Sequence, residues 1–193
     1  MQMIRGAEAR LTRDGDRLSK ERVRKTYRHP DIDERLRTER TEQEARLLKK
    51  AEQAGVKTPE VFEQDGTTIV MEFIDGTMLR DCFEEREGLW QDFGEDIARL
   101  HARDIIHGDL TTSNVLILEG DLVFIDFGLG FFSQRIEDRA TDLRLLEQVV
   151  EATHHTVAEQ AMEQILTGYR SISSDPDAVM DRLAEIRGRG RYS

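Results

Sequence analysis

Two aspartates and an asparagine stand out as groups able to manage a phosphate-bound metal: Asp109 and Asn114 within HGDLTTSN, and Asp126 within VFIDFG. Magnesium held on phosphates takes oxygen ligands, and adjacent loops can supply a carboxylate and an amide together. The asparagine and one of the aspartates have that chemistry, which leaves the other aspartate free to orient an attacking hydroxyl or water. The competing reading is a turn asparagine between two unrelated loop carboxylates. A loop of matching length, a following hairpin and the D-F-G string all coincide, which disfavours chance. The histidines offer no metal site: His154 and His155 are adjacent and diverge on a predicted helix, while His101 and His107 read as fold residues.

Elements able to position these groups are visible in the pattern. MIRGAEARLTR reads as a strand broken by Gly6, and Asp14-Gly15-Asp16 turns it into a second run, RLSKERVRK. Pro30 and Asp31 announce a helix that continues from Glu34 to Gln53, with Leu36, Ala45, Leu48 and Ala51 sharing a face, until Gly55 stops it. VFEQ and TIVMEFI flank Asp65-Gly66 as a hairpin. Residues 1–74 therefore read β-β-α-β-β. Beyond the turn at Asp75-Gly76, Leu89, Phe93, Ile97 and Leu100 recur at helical spacing to about Arg103. HGDLTTSN is then a loop, VLIL and LVFIDFG form a hairpin, and helices are predicted near 138–151, 157–169 and 175–187. The fold class is α+β: a β-rich N-lobe (1–74) with one long helix, and a mainly α-helical C-lobe (75–193) with a basic tail.

Composition limits the possibilities. The 193 residues, 38% hydrophobic, suffice for one compact unit or two small lobes around a cleft. A net charge of -11 excludes a uniformly basic nucleic-acid binder, so any RNA contact must be local. The single cysteine, Cys82, has no internal disulfide partner, and no signal peptide or membrane-length apolar run is present, so a cytoplasmic setting is expected.

In the protein-kinase signature a loop Asp faces the attacking hydroxyl, an Asn five residues later helps hold metal, and the D-F-G Asp bridges metal and phosphates. Asp109, Asn114 and Asp126-Phe127-Gly128 keep that order and spacing, so the chain resembles the protein-kinase superfamily. With YRHPDID and RTEQEARLL added, it is similar over residues 6–191 to the small, PRPK-related kinase-like ATPase family of the KEOPS complex. RIO kinases and aminoglycoside-phosphotransferase-like enzymes share H-G-D but not YRHP followed by RT-x-x-EA. The resemblance implies a reduced bilobal protein-kinase-like fold that uses ATP and magnesium. Lys20 matches the phosphate lysine and Glu44 the helical glutamate that holds it, with Lys25 a rival for the lysine. Gly6 is what remains of a glycine-rich loop. Met71 matches the residue guarding the back of the adenine site, with the Glu72 carbonyl and Ile74 N–H facing the adenine edge. Asp109 becomes the catalytic residue, and Asn114 and Asp126 the metal ligands. Asp142 reads either as a buried acceptor for the catalytic-loop backbone or as an ordinary helix acid. The implied partners are a threonylcarbamoyltransferase of the ASKHA fold, other KEOPS subunits, and tRNA reached through Arg187, Arg189 and Arg191.

Departures from the signature narrow the activity. Gly108 replaces the arginine of H-R-D, Thr111 stands where many protein kinases carry a lysine, and no A-P-E motif follows Asp126. Without a full activation segment there is no peptide groove and no loop phosphorylation to regulate. Slow phosphoryl transfer is expected. The reading favours an ATPase serving tRNA threonylcarbamoyl-adenosine formation at position 37 over a serine/threonine protein kinase.

Overall fold

The computed structural model describes residues 2–5, for their backbone alone, and 9–189. Strands β1 (Gln2–Arg5), β2 (Ala9–Asp14) and β3 (Arg17–Arg22) form an antiparallel meander. β4 (Val61–Asp65) and β5 (Thr68–Glu72) complete a sheet in the order β1-β2-β3-β5-β4. Gly15 and Gly66 take positive φ at the two hairpin turns, where an L side chain would be strained. Helix α1 (Pro30–Gln53) starts on its proline, carries Asp31 and Asp33 in its first turn, and ends before Gly55 at φ 83°. It buries Ala45, Leu47, Leu48 and Ala51, and with them Glu44.

β3 stops at Arg22 instead of running on to Lys25. The cause is Asp33, a fully buried carboxylate that accepts the Lys25 backbone N–H at 3.2 Å and Arg37 Nε at 2.8 Å. Arg28 lies 3.8 Å from the same carboxylate. A buried charge must be paired, so these contacts fold YRHPDID into a fixed connection between strand and helix. Lys25 therefore leaves the sheet, while Lys20 stays within it.

The second half opens with β6 (Thr77–Met78), which pairs with β8 (Val115–Leu118); β8 pairs in turn with β9 (Asp121–Phe124). α2 (Trp90–Ala102) follows a 3₁₀ stretch, and β7 (Ile105–Ile106) pairs with β10 (Phe131–Phe132). Three helices finish the described chain: α3 (Ile136–Thr153), α4 (Ala158–Ile172) and α5 (Pro176–Arg189). α2 and α4 cross in close contact. A Cβ on Gly94 would lie 1.8 Å from the Ile165 carbonyl oxygen, and one on Gly168 would lie 2.0 Å from that of Gln91. One apolar core runs through both halves, from Leu48 and Ile69 through Phe93, Phe124 and Ile165 to Leu183. The halves also meet through a backbone bond from the Phe124 N–H to the Lys57 carbonyl, 2.8 Å. Among the described residues no helix is long and apolar enough to cross a membrane.

Two sequence expectations need correction. His154 caps α3 rather than lying within a helix, and it is buried between Thr112 Oγ1 (3.0 Å) and Glu84 Oε1 (2.9 Å). The basic tail is in part an ordered helix. Glu147, buried on α3, takes Arg187 through both carboxylate oxygens, because a buried carboxylate needs cations within reach, and the partly exposed Glu137 takes Arg182.

One surface of α2 makes a pH prediction. Asp96 is pushed up to about 6 by burial, with Asp92 and Glu95 adding to that, even though Arg99 donates to it at 2.6 Å. A carboxyl raised on folding stabilises the fold below its unfolded pKa near 3.8, and that contribution is lost as pH rises through about 6. Asp96→Asn is therefore expected to be the more stable protein at pH 7, by about 1–3 kcal/mol, with the gap closing below pH 4. Thermal melts from pH 4 to 8 would show this, and a gap that widens toward acid would contradict it.

Candidate active site

Lys20 and Arg22 alternate along β3 with the same facing, so the strand's period of two delivers both side chains to one cleft. Glu44 meets them from α1. Lys20 Nζ donates to Glu44 Oε1 at 2.6 Å and to Asp126 Oδ1 at 2.7 Å, while Arg22 Nη2 donates to Glu44 Oε2 at 2.5 Å. Glu44 is 1% exposed and Asp126 about half exposed, its side chain at 52%. Burial would lower the Lys20 pKa, but Glu44 and Asp126 outweigh it and hold the ammonium above its usual range. Likewise the burial that would raise Asp126 is overcome by Lys20 and the Gly128 N–H, so this carboxylate sits below its usual range. Asp126 turns the chain at φ 57° and accepts that N–H at 3.1 Å. Such a left-handed position tolerates an Asp because its short side chain can bond locally.

Asp109 and Asn114 face this array from the loop after β7. Asn114 Nδ2 donates to the Asp109 carbonyl at 2.8 Å and to Asp109 Oδ2 at 2.9 Å, which fixes the carboxylate's direction. Below them Asp142 accepts the backbone N–H groups of His107 (2.8 Å) and Gly108 (3.0 Å). His101 Nε2 donates to the same carboxylate at 3.3 Å, and burial pushes the Tyr169 hydroxyl up to about 12, so it remains a donor to His101 Nδ1 at 2.9 Å. Burial alone would raise Asp142; the bonds from His101 and His107 outweigh it and hold it below the usual range. Burial also lowers His107, keeping the ring neutral, with Nε2–H on the Ile125 carbonyl (3.2 Å) and Nδ1 receiving the Asp109 N–H (3.4 Å). These buried partners hold the loop from beneath.

Gly108 has a steric reason to be glycine. Its φ is 76°, and a Cβ there would lie 2.3 Å from the Leu129 carbonyl oxygen. The segment after Asp126 therefore lies directly on the catalytic loop, fixed by the Gly130 N–H on the Phe127 carbonyl (2.9 Å), the Ser133 N–H on the Asp104 carbonyl (2.8 Å), and Gln43. An arginine has no place at 108.

Lys20, Arg22, Asp109 and Asp126 line a cleft of about 550 Å³, the size of a small-molecule site. Met71, Glu72 and Ile74 form part of its wall, as the sequence placed them. Gly6 and Arg191 lie outside the described residues. The sequence reading missed the apolar walls, Leu11 and Leu18 on one side and Leu116 and Ile125 on the other, which suit a flat aromatic base. It missed Arg22 too. The signal was the strand period, which puts Leu18, Lys20 and Arg22 on one face. Among the described residues no cluster of three or more His, Cys, Asp or Glu side chains could hold a metal ion. That fits magnesium arriving with a triphosphate, which needs only one or two protein ligands beside phosphate oxygens and water. Asn114 and Asp126 carry oxygen atoms of the kind such an ion would take.

Comparison with known proteins agrees with this geometry. A model of the RIO domain matches residues 10–167. The KEOPS complex subunit Bud32 of Pyrococcus abyssi is 43% identical over 184 residues, covering 91% of this chain and 84% of the relative. A probable bifunctional tRNA threonylcarbamoyladenosine biosynthesis protein of Methanothermobacter thermautotrophicus is 46% identical over 99% of this chain, which spans only 36% of that relative's length. Among solved structures, the Rio2 kinase of Chaetomium thermophilum with ADP, magnesium and phosphoaspartate superposes at TM-score 0.69 and 18% identity, over 100% of this chain and 71% of that one. The fold is accordingly protein-kinase-like, with a β-rich lobe and a helical lobe. With the RIO-domain match over most of its length and the archaeal Bud32 relative along nearly all of it, this chain belongs to the RIO-domain family, in the branch that holds the Bud32 subunits.

Proposed function

We propose that the chain is a magnesium- and ATP-dependent atypical kinase or ATPase that supports a KEOPS complex in forming threonylcarbamoyl-adenosine at position 37 of tRNA. The observation that carries this reading is the Lys20–Glu44–Asp126 array facing Asp109 across a cleft whose rim is closed by residues 127–133. ATP fits with its base between the apolar walls, its edge toward the Glu72 carbonyl and Ile74 N–H, and Met71 behind it. Lys20, held by Glu44, takes the α- and β-phosphates. When bound through Asn114 and Asp126, magnesium supplies charge neutralisation on the triphosphate. Asp109, aimed by Asn114, accepts a proton from the attacking water or hydroxyl. The short segment packed on Gly108 stands where an extended activation segment would shape a peptide groove, which favours hydrolysis over protein phosphorylation.

The names of the relatives support membership in a KEOPS assembly; the ASKHA-fold threonylcarbamoyltransferase as partner and the cytoplasm as setting are our inference from the motif resemblance. In this proposal tRNA contact falls to the basic tail, Arg187, Arg189 and Arg191, with Arg187 also paired to Glu147. The test is phosphate release by the purified chain alone, with that partner, and with tRNA added, beside phosphorylation of a generic protein substrate. Stimulated hydrolysis without protein labelling is the expected result. Labelling that exceeds hydrolysis would transfer the reading to a protein kinase.

A further inference from the structure

Arg22 is a second cation in the wall of the cleft, and pairing with Glu44 does not account for it. Glu44 already has Lys20 at 2.6 Å, so the glutamate is neutralised without it. The Arg22 backbone is fixed at both ends of its peptide group: its N–H donates to the Thr67 carbonyl at 3.0 Å, and its carbonyl accepts Arg37 Nη1 at 3.2 Å. The guanidinium is less constrained. Its side chain is 7% exposed and Nη2 bonds Glu44, yet Nε is buried with no partner. An unpaired donor buried in this way is costly, and it marks a place where an acceptor is missing.

The surroundings indicate which acceptor. Arg22 lines the same cleft as Asp109 and Asp126, and a Cβ placed on Gly128 would lie 3.2 Å from Arg22 Nη2 and 2.8 Å from Asp126 Oδ1. The guanidinium therefore lies beside the Asp126 turn, in the wall of the cleft that Asp109 also lines. From His107 to Asn114 the catalytic loop contributes no Lys or Arg. Phosphoryl transfer concentrates negative charge on the terminal phosphate, and an arginine supplied in cis can meet it with a planar pair of donors.

We propose that Arg22 contacts the terminal phosphate of bound ATP, using donors that Glu44 leaves unsatisfied, and thereby distinguishes ATP from ADP. This rests on the reading of the cleft as an ATP site. The experiment is equilibrium binding of magnesium–ADP and of a magnesium-bound non-hydrolysable ATP analogue to the parent chain, Arg22→Gln and Arg22→Lys, with thermal melts to establish folding. Arg22→Gln is expected to bind ADP within about twofold of the parent and the ATP analogue roughly tenfold or more weakly. Arg22→Lys, which keeps the charge and loses the planar fork, should fall between. Equal loss of both nucleotides would assign Arg22 to holding Glu44 alone and overturn the inference, as would no change in either. Should Arg22→Gln fail to fold, the lysine variant decides by the same ratio. Failure of the parent to bind either nucleotide would instead refute the ATP-site reading itself.

Discussion

Asp109→Ala is expected to lower ATP turnover about 10²–10⁴-fold while leaving nucleotide affinity close to that of the parent. Asp109 touches neither Lys20 nor Asp126 in the array that would hold the triphosphate, and the Asn114 side chain keeps its bond to the residue-109 carbonyl when the carboxylate is removed. The loop itself is supported from below by Asp142, through the N–H groups of residues 107 and 108, which the substitution does not touch. Binding and chemistry should therefore separate. Phosphate release with the partner present, measured beside ADP titration, checks this. Undiminished release would remove Asp109 from its proposed role, and parallel loss of binding would make it a structural residue.

Lys20→Ala should have a different signature, with affinity and turnover falling together. Lys20 joins Glu44 on α1 to Asp126 in the D-F-G turn. Its removal leaves Asp126 without its cation, while Glu44 keeps Arg22. Breaking a buried pair costs about 3–5 kcal/mol when a charge is left wholly uncompensated; because Arg22 remains, about 2 kcal/mol is expected here. Turnover should drop about 10²-fold or more. Lys25→Ala should keep turnover within about twofold of the parent, because Lys25 lies past the end of β3 and does not line the cleft. Denaturant melts and ATP hydrolysis on the two variants check both halves. An equal or reversed ranking would return the phosphate role to Lys25.

The sequence revealed the site where its chemistry is tied to chain order. Asp109, Asn114 and Asp126 could be read because a loop, a hairpin and a D-F-G turn give each a fixed offset from the others. Helices α1 to α5 could be read because their apolar positions repeat often enough to show a period. β6, β7 and β10, at two residues each, are too short to show any pattern, and they exist because partner strands complete them. Arg22 was hidden for another reason. In a chain rich in arginine, a strand-end Arg reads as solvent-facing, and only the position of Glu44 on α1, brought up by folding, turns it inward. Arg187 and His154 are similar cases: each is buried or paired by a carboxylate distant in sequence, Glu147 and Glu84, that no local window contains.

The backbone bond between Phe124 and Lys57 has a consequence for motion. The chain passes from sheet to helices once, near Ile74, and this bond is a second attachment some distance along the boundary. With the Lys57–Asp121 ion pair beside it and the shared apolar core behind, it leaves little freedom beyond rotation about the line from Ile74 to this bond. Admission and release of a ligand should therefore proceed as a swing about that line, with little sliding or twisting of one half on the other. The Lys20–Asp126 pair, one of the charged contacts across the gap, becomes the catch that each swing must release and remake.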